Sequence, residues 1–343
     1  MVGDMSSGSN SEQHLPRSGP TSGDPGWSGT TFAHEAFFFD DDQQVIDRCR
    51  PLIEAGLALH QPVLVVVSDP VRVALERGLG PSARSLAMFD RAESWWQGPH
   101  ATMATYAAVL RRLGLAARPW RLVAEPVWLS TASGRYWSRF EAVANISLSA
   151  FPFYSLCLHD LRRLDGQAVH EARRTHPHVV DATDPGVSSS WTSAVDFLRS
   201  VEPPPRERPP NARVLHHTSL GTARAQARTA CSEARLSLQR CDEVALAIDE
   251  LASNSRAVAA QVTVADWQHG RQLVLEVTDS GPGFDDPLAG YVAPPQDGVR
   301  GRGLWLARGL ADELVIRSGR SGTTVQVLVE LDTTERRRVP ALV

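Results

Sequence analysis

Glu250 and Asn254 stand four residues apart in the run Glu250-Leu-Ala-Ser-Asn254, a spacing that sets a carboxylate and an amide on one face of a helix, one turn apart. Further on, Val277-Thr-Asp279-Ser-Gly281-Pro-Gly283-Phe284 closes an apolar run with an acid. Its two glycines then permit a turn where backbone comes close to a ligand. In Gly298-Val-Arg-Gly301-Arg-Gly303-Leu-Trp-Leu306, glycines directly precede an apolar helical stretch. That arrangement leaves amide N–H groups and a helix N-terminus free for anionic phosphates. Last comes Gly322-Thr-Thr324, entering an apolar strand. Each signal is common by itself. Their order, E-x-x-x-N, D-x-G-x-G, G-x-G-L and G-T within about 80 residues, is not.

The elements that must position these residues lie in the C-terminal part of the chain. A short strand at 213–216 leads into helices near 222–237 and 242–260, the second with Val244, Ile248 and Leu251 as its core stripe. Strands at 262–267 and 272–278, a Gly/Pro-rich loop, a helix to about 311 and strands at 313–318 and 323–331 follow. Helices followed by clustered strands indicate an α+β sandwich with a mostly antiparallel sheet covered on one face.

The N-terminal part alternates instead. Apolar runs at 62–69, 86–90, 121–125 and 153–160 alternate with helical stretches at about 42–57, 71–79, 99–115 and 133–149. This is the pattern of a mostly parallel α/β sheet with both faces covered, which places ligands at the carboxyl ends of its strands. Those ends carry Asp69, Asp90, Glu125 and Asp160. Five domain segments are expected: a disordered tail at 1–31, an α/β domain at 32–200, a Pro-rich linker at 201–210, the α+β domain at 211–332 and a charged tail at 333–343. The linker contains Glu202-Pro-Pro-Pro-Arg-Glu-Arg-Pro-Pro210, in which neither a helix nor a central strand can continue.

Composition narrows the chemistry. The 343 residues carry a net charge of -4, a poor balance for wrapping nucleic acid or anionic membrane. All 35 basic residues are Arg. The absence of Lys excludes a Walker A loop, Schiff-base catalysis and the lysine-containing protein-kinase signature. The four cysteines, Cys49, Cys157, Cys231 and Cys241, form no C-x-x-C pair, against a zinc ribbon or a redox dithiol. With no apolar signal segment or membrane-length run, a cytoplasmic protein is expected.

The four ordered motifs resemble the N, G1, G2 and G3 boxes of the ATP-binding fold of gyrase, heat-shock chaperones, histidine kinases and mismatch-repair ATPases. The compact form is most similar to the anti-sigma-factor serine kinases of bacterial stress and sporulation switches. The resemblance covers about 211–332. It implies ATP and Mg2+ as cofactors, with Asn254 holding Mg2+ and Glu250 the general base that deprotonates a protein serine or water. It makes Asp279 the acceptor for the adenine amino group and brings Gly281 and Gly283 against the base. Gly301 and Gly303 would cover the phosphates, and Thr323 or Thr324 would close the pocket. One position departs: four residues after Asn254, where relatives often carry His or a basic residue, this chain has Val258.

Five segments of the first domain, His34-Glu-Ala-Phe-Phe-Phe39, Glu125-Pro-Val-Trp128, Arg139-Phe-Glu-Ala142, Leu156-Cys-Leu-His-Asp160 and Glu171-Ala-Arg-Arg-Thr-His-Pro177, resemble the sensory (MEDS) domain of methanogen and methylotroph regulators. That domain is related to the RecA-like clock-protein fold but lacks its phosphate loop. The resemblance makes His34 and Cys157 ligand- or metal-contacting; Glu125 and His159 are further candidate sensory ligands. His159 and Cys157 share a strand face by alternation and are able to converge.

The function these likenesses imply is an ATP-dependent anti-sigma regulator. It would bind a sigma factor and phosphorylate a serine of an anti-anti-sigma (STAS-type) partner, under control of an unidentified small-molecule signal. Neither direct nucleic-acid nor membrane contact is expected, and a homodimer through the sheet remains open. Val258 keeps a second reading in play, an ATP-responsive module that sequesters without phosphorylating. A sensor histidine kinase fits less well, since a short helix near 190–200 and a polyproline break occupy the place of the required helical hairpin.

Overall fold

The computed structural model describes residues 27, 29, 32–92, 114–115, 118–130, 134–149, 151–181, 184–216, 219–292 and 302–331. The expected helix at 99–115 and C-terminal tail fall almost wholly outside these residues.

The N-terminal half is a seven-stranded sheet flanked by helices. Its strands are β1 (Ala33–Phe39), β2 (Val63–Val67), β3 (Met88–Arg91), β4 (Trp120–Ala124), β5 (Phe153–Asp160), β6 (His178–Asp181) and β7 (Asp184–Val187), in the order β3-β2-β4-β5-β1-β6-β7. All neighbouring strands are parallel except β6 and β7. The described helices are α1 (Asp42–Ala58), α2 (Asp69–Leu79), α3 (Gly134–Ser147), α4 (Gly166–Thr175) and α5 (Ala194–Val201). One sheet face packs α1 and α2 through a core that includes Phe37, Phe39, Val65, Leu156 and Leu158. The other face, bearing His34, Ala36, Phe38, Ser155, Cys157 and His159, lies against α3 and α4.

The central strand β1 is absent from the sequence reading. His34 and Glu35 interrupt its apolar run, yet both are buried. Glu35 is neutralised by Arg48 of α1 and accepts a 2.8 Å hydrogen bond from Tyr154 of β5. The expected tail at 1–31 also contributes to the core. Trp27 is buried edge-on against Tyr154, and its carbonyl accepts from the buried guanidinium of Arg121.

The C-terminal half is the α+β sandwich. β8 (Arg213–Leu215), β9 (Val262–His269), β10 (Gln272–Asp279), β11 (Glu313–Gly319) and β12 (Gly322–Glu330) form an antiparallel sheet in the order β11-β12-β10-β9-β8. α6 (Leu220–Glu233), α7 (Leu238–Val258) and α8 (Arg302–Leu310) cover one face. Ser219 and Ser237 cap α6 and α7 by accepting from Thr222 N and Arg240 N at 3.1 and 3.2 Å, satisfying amides that each first turn leaves unpaired.

The proline-rich stretch is more than a spacer. It runs extended across the sheet face opposite the helices. Gln326 of β12 accepts from Arg206 N and donates back to Arg206 O, both at 2.8 Å, and Arg208 pairs with Glu276 of β10. This strap leaves Val274, Glu276, Val315, Gln326 and Leu328 buried. The two halves also meet directly. Phe140 and Val143 of α3 and Leu198 of α5 pack with Tyr291, and Arg139 pairs with Glu313 at 3.1 Å.

Candidate functional site

The C-terminal motifs converge at one end of the sandwich. Glu250 and Asn254 lie one turn apart near the C-terminal end of α7, half-buried and exposed respectively. Gly303, at the start of α8, packs directly against them. A Cβ on Gly303 would lie 2.6 Å from Asn254 Nδ2 and 3.0 Å from Glu250 Oε2, so only glycine fits without displacing both. Gly301 lies outside the described residues.

Asp279 ends β10 and is buried. Its Oδ1 accepts from Gly281 N at 2.9 Å, and its Oδ2 from the Ser255 hydroxyl at 2.7 Å. Ser255, beside Asn254, thus ties the helix to the strand end, a role the sequence reading missed. Gly283 adopts φ +69° against the Gly319 backbone, a close approach that any side chain would block.

The paired threonines separate. Thr323 is in register with Asp279 and faces the helices, whereas Thr324 is in register with Thr278 and faces the other way. Of the two alternatives, Thr323 stands beside Asp279, with its hydroxyl 2.8 Å from that of Ser318. Val258, the last residue of α7, is 56% exposed and faces Gly281. An apolar, solvent-facing side chain therefore occupies the position where a basic group would be useful.

In the N-terminal half, the acids at the carboxyl ends of the strands are engaged within the chain. Glu125 Oε2 accepts from Ser68 N at 2.8 Å, Asp160 is held by Arg162, and Asp69 pairs with Arg72 and Arg91. The N-terminus of α1, beside central β1, carries Asp40, Asp41 and Asp42, which would repel a phosphate.

The unusual donors gather elsewhere, under α3. His34 and Cys157 come together, with His34 Nε2 3.5 Å from Cys157 Sγ. Of the other two candidates, Glu125 stands apart at the end of β4. His159 shares the Cys157 face, but its Nδ1 donates to Cys157 O and its ring lies edge-on to His176. In their place, Glu141 of α3 and His176 at the end of α4 complete the group. Both fall within quoted segments, and the Glu141–Asn145 spacing of four was the available signal. Burial pulls the His34 imidazole down to about 4 and His176 well below its usual value, so both stay neutral near pH 7. Burial also raises the Glu141 carboxyl to about 7. His34, Glu141 and Cys157 form part of the wall of a mostly apolar cavity of about 90 Å3, lined also by Ser155, Trp120, Trp128 and Trp137.

Residues 33–177 match the family described as MEDS, the methanogen/methylotroph, DcmR sensory domain. Residues 215–329 match the histidine kinase-like ATPase domain. No curated protein matches the chain. Among solved structures, the RsbU and RsbW domains of a Mycobacterium tuberculosis protein are 23% identical, with a TM-score of 0.27, over 36% of this chain and 32% of that one. This chain therefore spans about a third of that relative's length. The histidine kinase domain of a blue-light-activated histidine kinase from Erythrobacter litoralis is 16% identical, with a TM-score of 0.23, over 48% of this chain and 81% of that one. No described helix is long and apolar enough to cross a membrane.

Proposed function

We propose that this chain, a MEDS-family domain joined to a histidine kinase-like ATPase domain, is an ATP-dependent anti-sigma regulator with an N-terminal input domain. The packing of Gly303 on Asn254 and Glu250, at the same end of the sandwich as Asp279 and Thr323, carries the reading. The donor set suits a magnesium nucleotide. Asn254 offers an exposed amide oxygen, the hard donor Mg2+ prefers, and Asp279 has acceptor capacity beyond its two internal bonds. Bound Mg-ATP would supply the γ-phosphoryl group. Glu250 would take the proton from the incoming hydroxyl, a serine of an anti-anti-sigma STAS-type partner, and Asp279 would accept from the adenine amino group. Gly281 and Gly283 would let the base approach the backbone, and Gly301 and Gly303 would cover the phosphates.

A fluorescent-nucleotide titration of the full chain tests the binding reading; a folded protein without saturable, Mg-dependent binding would end it. Labelled ATP with STAS-type partners and sigma factors tests the rest. Label on a partner serine supports the kinase. Val258 favours a second reading, in which the chain sequesters a sigma factor in response to ATP and transfers nothing. Sigma-factor capture without label would select it. A self-phosphorylated His would instead mark a histidine kinase, against which the eight-residue α5 and the strap already weigh. With the outer sheet face covered by the strap, a homodimer would need a different surface.

A further inference from the structure

We propose that the N-terminal domain holds a zinc-class divalent metal ion between His34 Nε2, His176 Nε2, Cys157 Sγ and Glu141 Oε2. These four atoms lie within 4.8 Å of one another. The His34–Cys157, His34–Glu141 and His176–Glu141 pairs are 3.5, 4.0 and 3.9 Å apart. Tetrahedral coordination with ordinary zinc bond lengths sets ligand atoms roughly 3.3–3.8 Å from each other, so these three pairs need shifts of a few tenths of an ångström, and the widest pair, at no more than 4.8 Å, must close by about 1 Å. The mixture of two imidazoles, a thiol and one carboxylate suits zinc, cobalt or ferrous iron, and is wrong for Mg2+ or Ca2+.

The hydrogen bonds around the cluster fix which nitrogen faces it. Asn145 Nδ2 donates to Thr175 O at 2.7 Å and to Ala142 O at 3.2 Å, so its Oδ1 is the atom 2.9 Å from His34 Nδ1. His34 Nδ1 therefore carries the proton and Nε2 the lone pair. His176 Nδ1 donates to Ala172 O at 2.8 Å, which again leaves Nε2 as the lone pair. That Nε2 is buried with no hydrogen-bond partner. A buried imidazole whose remote nitrogen is bound by a carbonyl while its near nitrogen faces a thiol and a carboxylate is the arrangement metal-ligating histidines adopt. The neighbouring His159 Nε2 is likewise buried without a partner, so it is the thiol and carboxylate gathered around His176 Nε2 that single it out as a ligand.

Three of the four ligands line the apolar cavity, so the ion would sit in its wall, within reach of a small molecule inside. Binding would displace the Cys157 proton, since the thiolate is the ligand.

The test uses the full chain, stripped with chelator and titrated with Co2+ alone, then with Zn2+. One Co2+ per chain is expected, with a thiolate-to-cobalt charge-transfer band and the strong visible bands of a tetrahedral site, all abolished by Zn2+. Cys157→Ser should lose the charge-transfer band and bind more than about 100-fold more weakly, whereas Cys49→Ser should keep it. Asn145→Ala should retain the band but bind roughly 10–100-fold more weakly, the usual effect of losing a partner that orients a ligand. A folded wild-type chain that takes up no stoichiometric Co2+, or binds it without a thiolate band, overturns the proposal whatever the variants do. So does a band that survives Cys157→Ser.

Discussion

Gly303→Ala probes the nucleotide site from a residue that has no side chain of its own, by displacing the two side chains packed on it. The added methyl would lie 2.6 Å from Asn254 Nδ2 and 3.0 Å from Glu250 Oε2. Both are the ends of flexible side chains, so they swing away. Crowding of this kind costs about 1–3 kcal/mol in a rigid core, and less at an accessible helix face. Replacing glycine within a helix returns up to about 1 kcal/mol, so the net change in stability should be small. Displacing Asn254 is another matter. Loss of one contact to a charged partner is worth about 1.5–3 kcal/mol, which converts to roughly 10- to 150-fold weaker binding of Mg-ATP. Gly221→Ala in α6 is the control, because its methyl would meet nothing within 4 Å. It should leave binding unchanged and raise stability by about 0.4–1 kcal/mol. Fluorescent-nucleotide titration and thermal unfolding of both variants read the two effects separately. A folded Gly303→Ala chain that binds within twofold of the parent would show that the convergence of α7 and α8 is not the nucleotide site.

Four further outcomes follow. Asp279→Asn should weaken ATP binding by about 2–4 kcal/mol and narrow the preference for ATP over GTP in competition titrations, since an amide can present a donor to the adenine amino group. Glu250→Ala should leave ATP binding nearly intact while slowing partner phosphorylation roughly 10²–10⁴-fold, whereas Asn254→Ala should weaken Mg-dependent binding itself; the reverse pattern would refute the assignment. Val258→His, at an exposed helix end, should alter stability by no more than about 0.5 kcal/mol and raise turnover if a missing phosphate contact limits the parent; unchanged turnover would favour the sequestering module. Arg139→Ala removes a guanidinium that joins Glu313 and Val201 O at 3.1 Å each, and should speed hydrogen exchange of 285–292 relative to the rest of the ATPase half.

The ATPase half was legible in sequence because its signals are local. Box order, strand alternation and the apolar stripe of α7 each report on neighbouring residues. Where the reading slipped, a side chain had hidden the boundary. α7 begins at Leu238, which is 87% exposed and breaks the expected stripe, so the helix was expected four residues late. The choice between Thr323 and Thr324 depended on strand register, which no single strand contains. The buried cluster of the N-terminal half was only half legible for the same reason. His34 and Cys157 stand out as donors in apolar strands, but Glu141 and His176 join them only once α3 and the end of α4 fold over that face. The alternation argument for His159 gave the correct face, yet facing the same side does not bring a side chain to the same point.

α3 is one of the places where the two halves of the molecule are joined, beside α5 and the strap. Glu141 and Asn145, one turn apart, face the buried cluster, while Arg139, Phe140 and Val143 engage the ATPase half. Phe140 lies 5.5 Å from the ring of Tyr291, and Tyr291 in turn lies 3.8 Å beneath the guanidinium of Arg308 in α8, the helix whose first turn holds Gly303. The path from the cluster to the candidate phosphate site thus runs through one helix, one aromatic pair and one cation–π contact. Contiguity alone does not establish coupling. A ligand that pulls Glu141 toward His34 and His176 changes ATP affinity only if it favours one position of α3 over another. Tyr291→Ala separates the possibilities, since it cuts the path while leaving every cluster residue in place. If ligation of the cluster shifts ATP affinity in the parent, that shift should vanish in Tyr291→Ala with metal affinity unchanged. A shift that persists would place the coupling in the Arg139–Glu313 pair or in the strap.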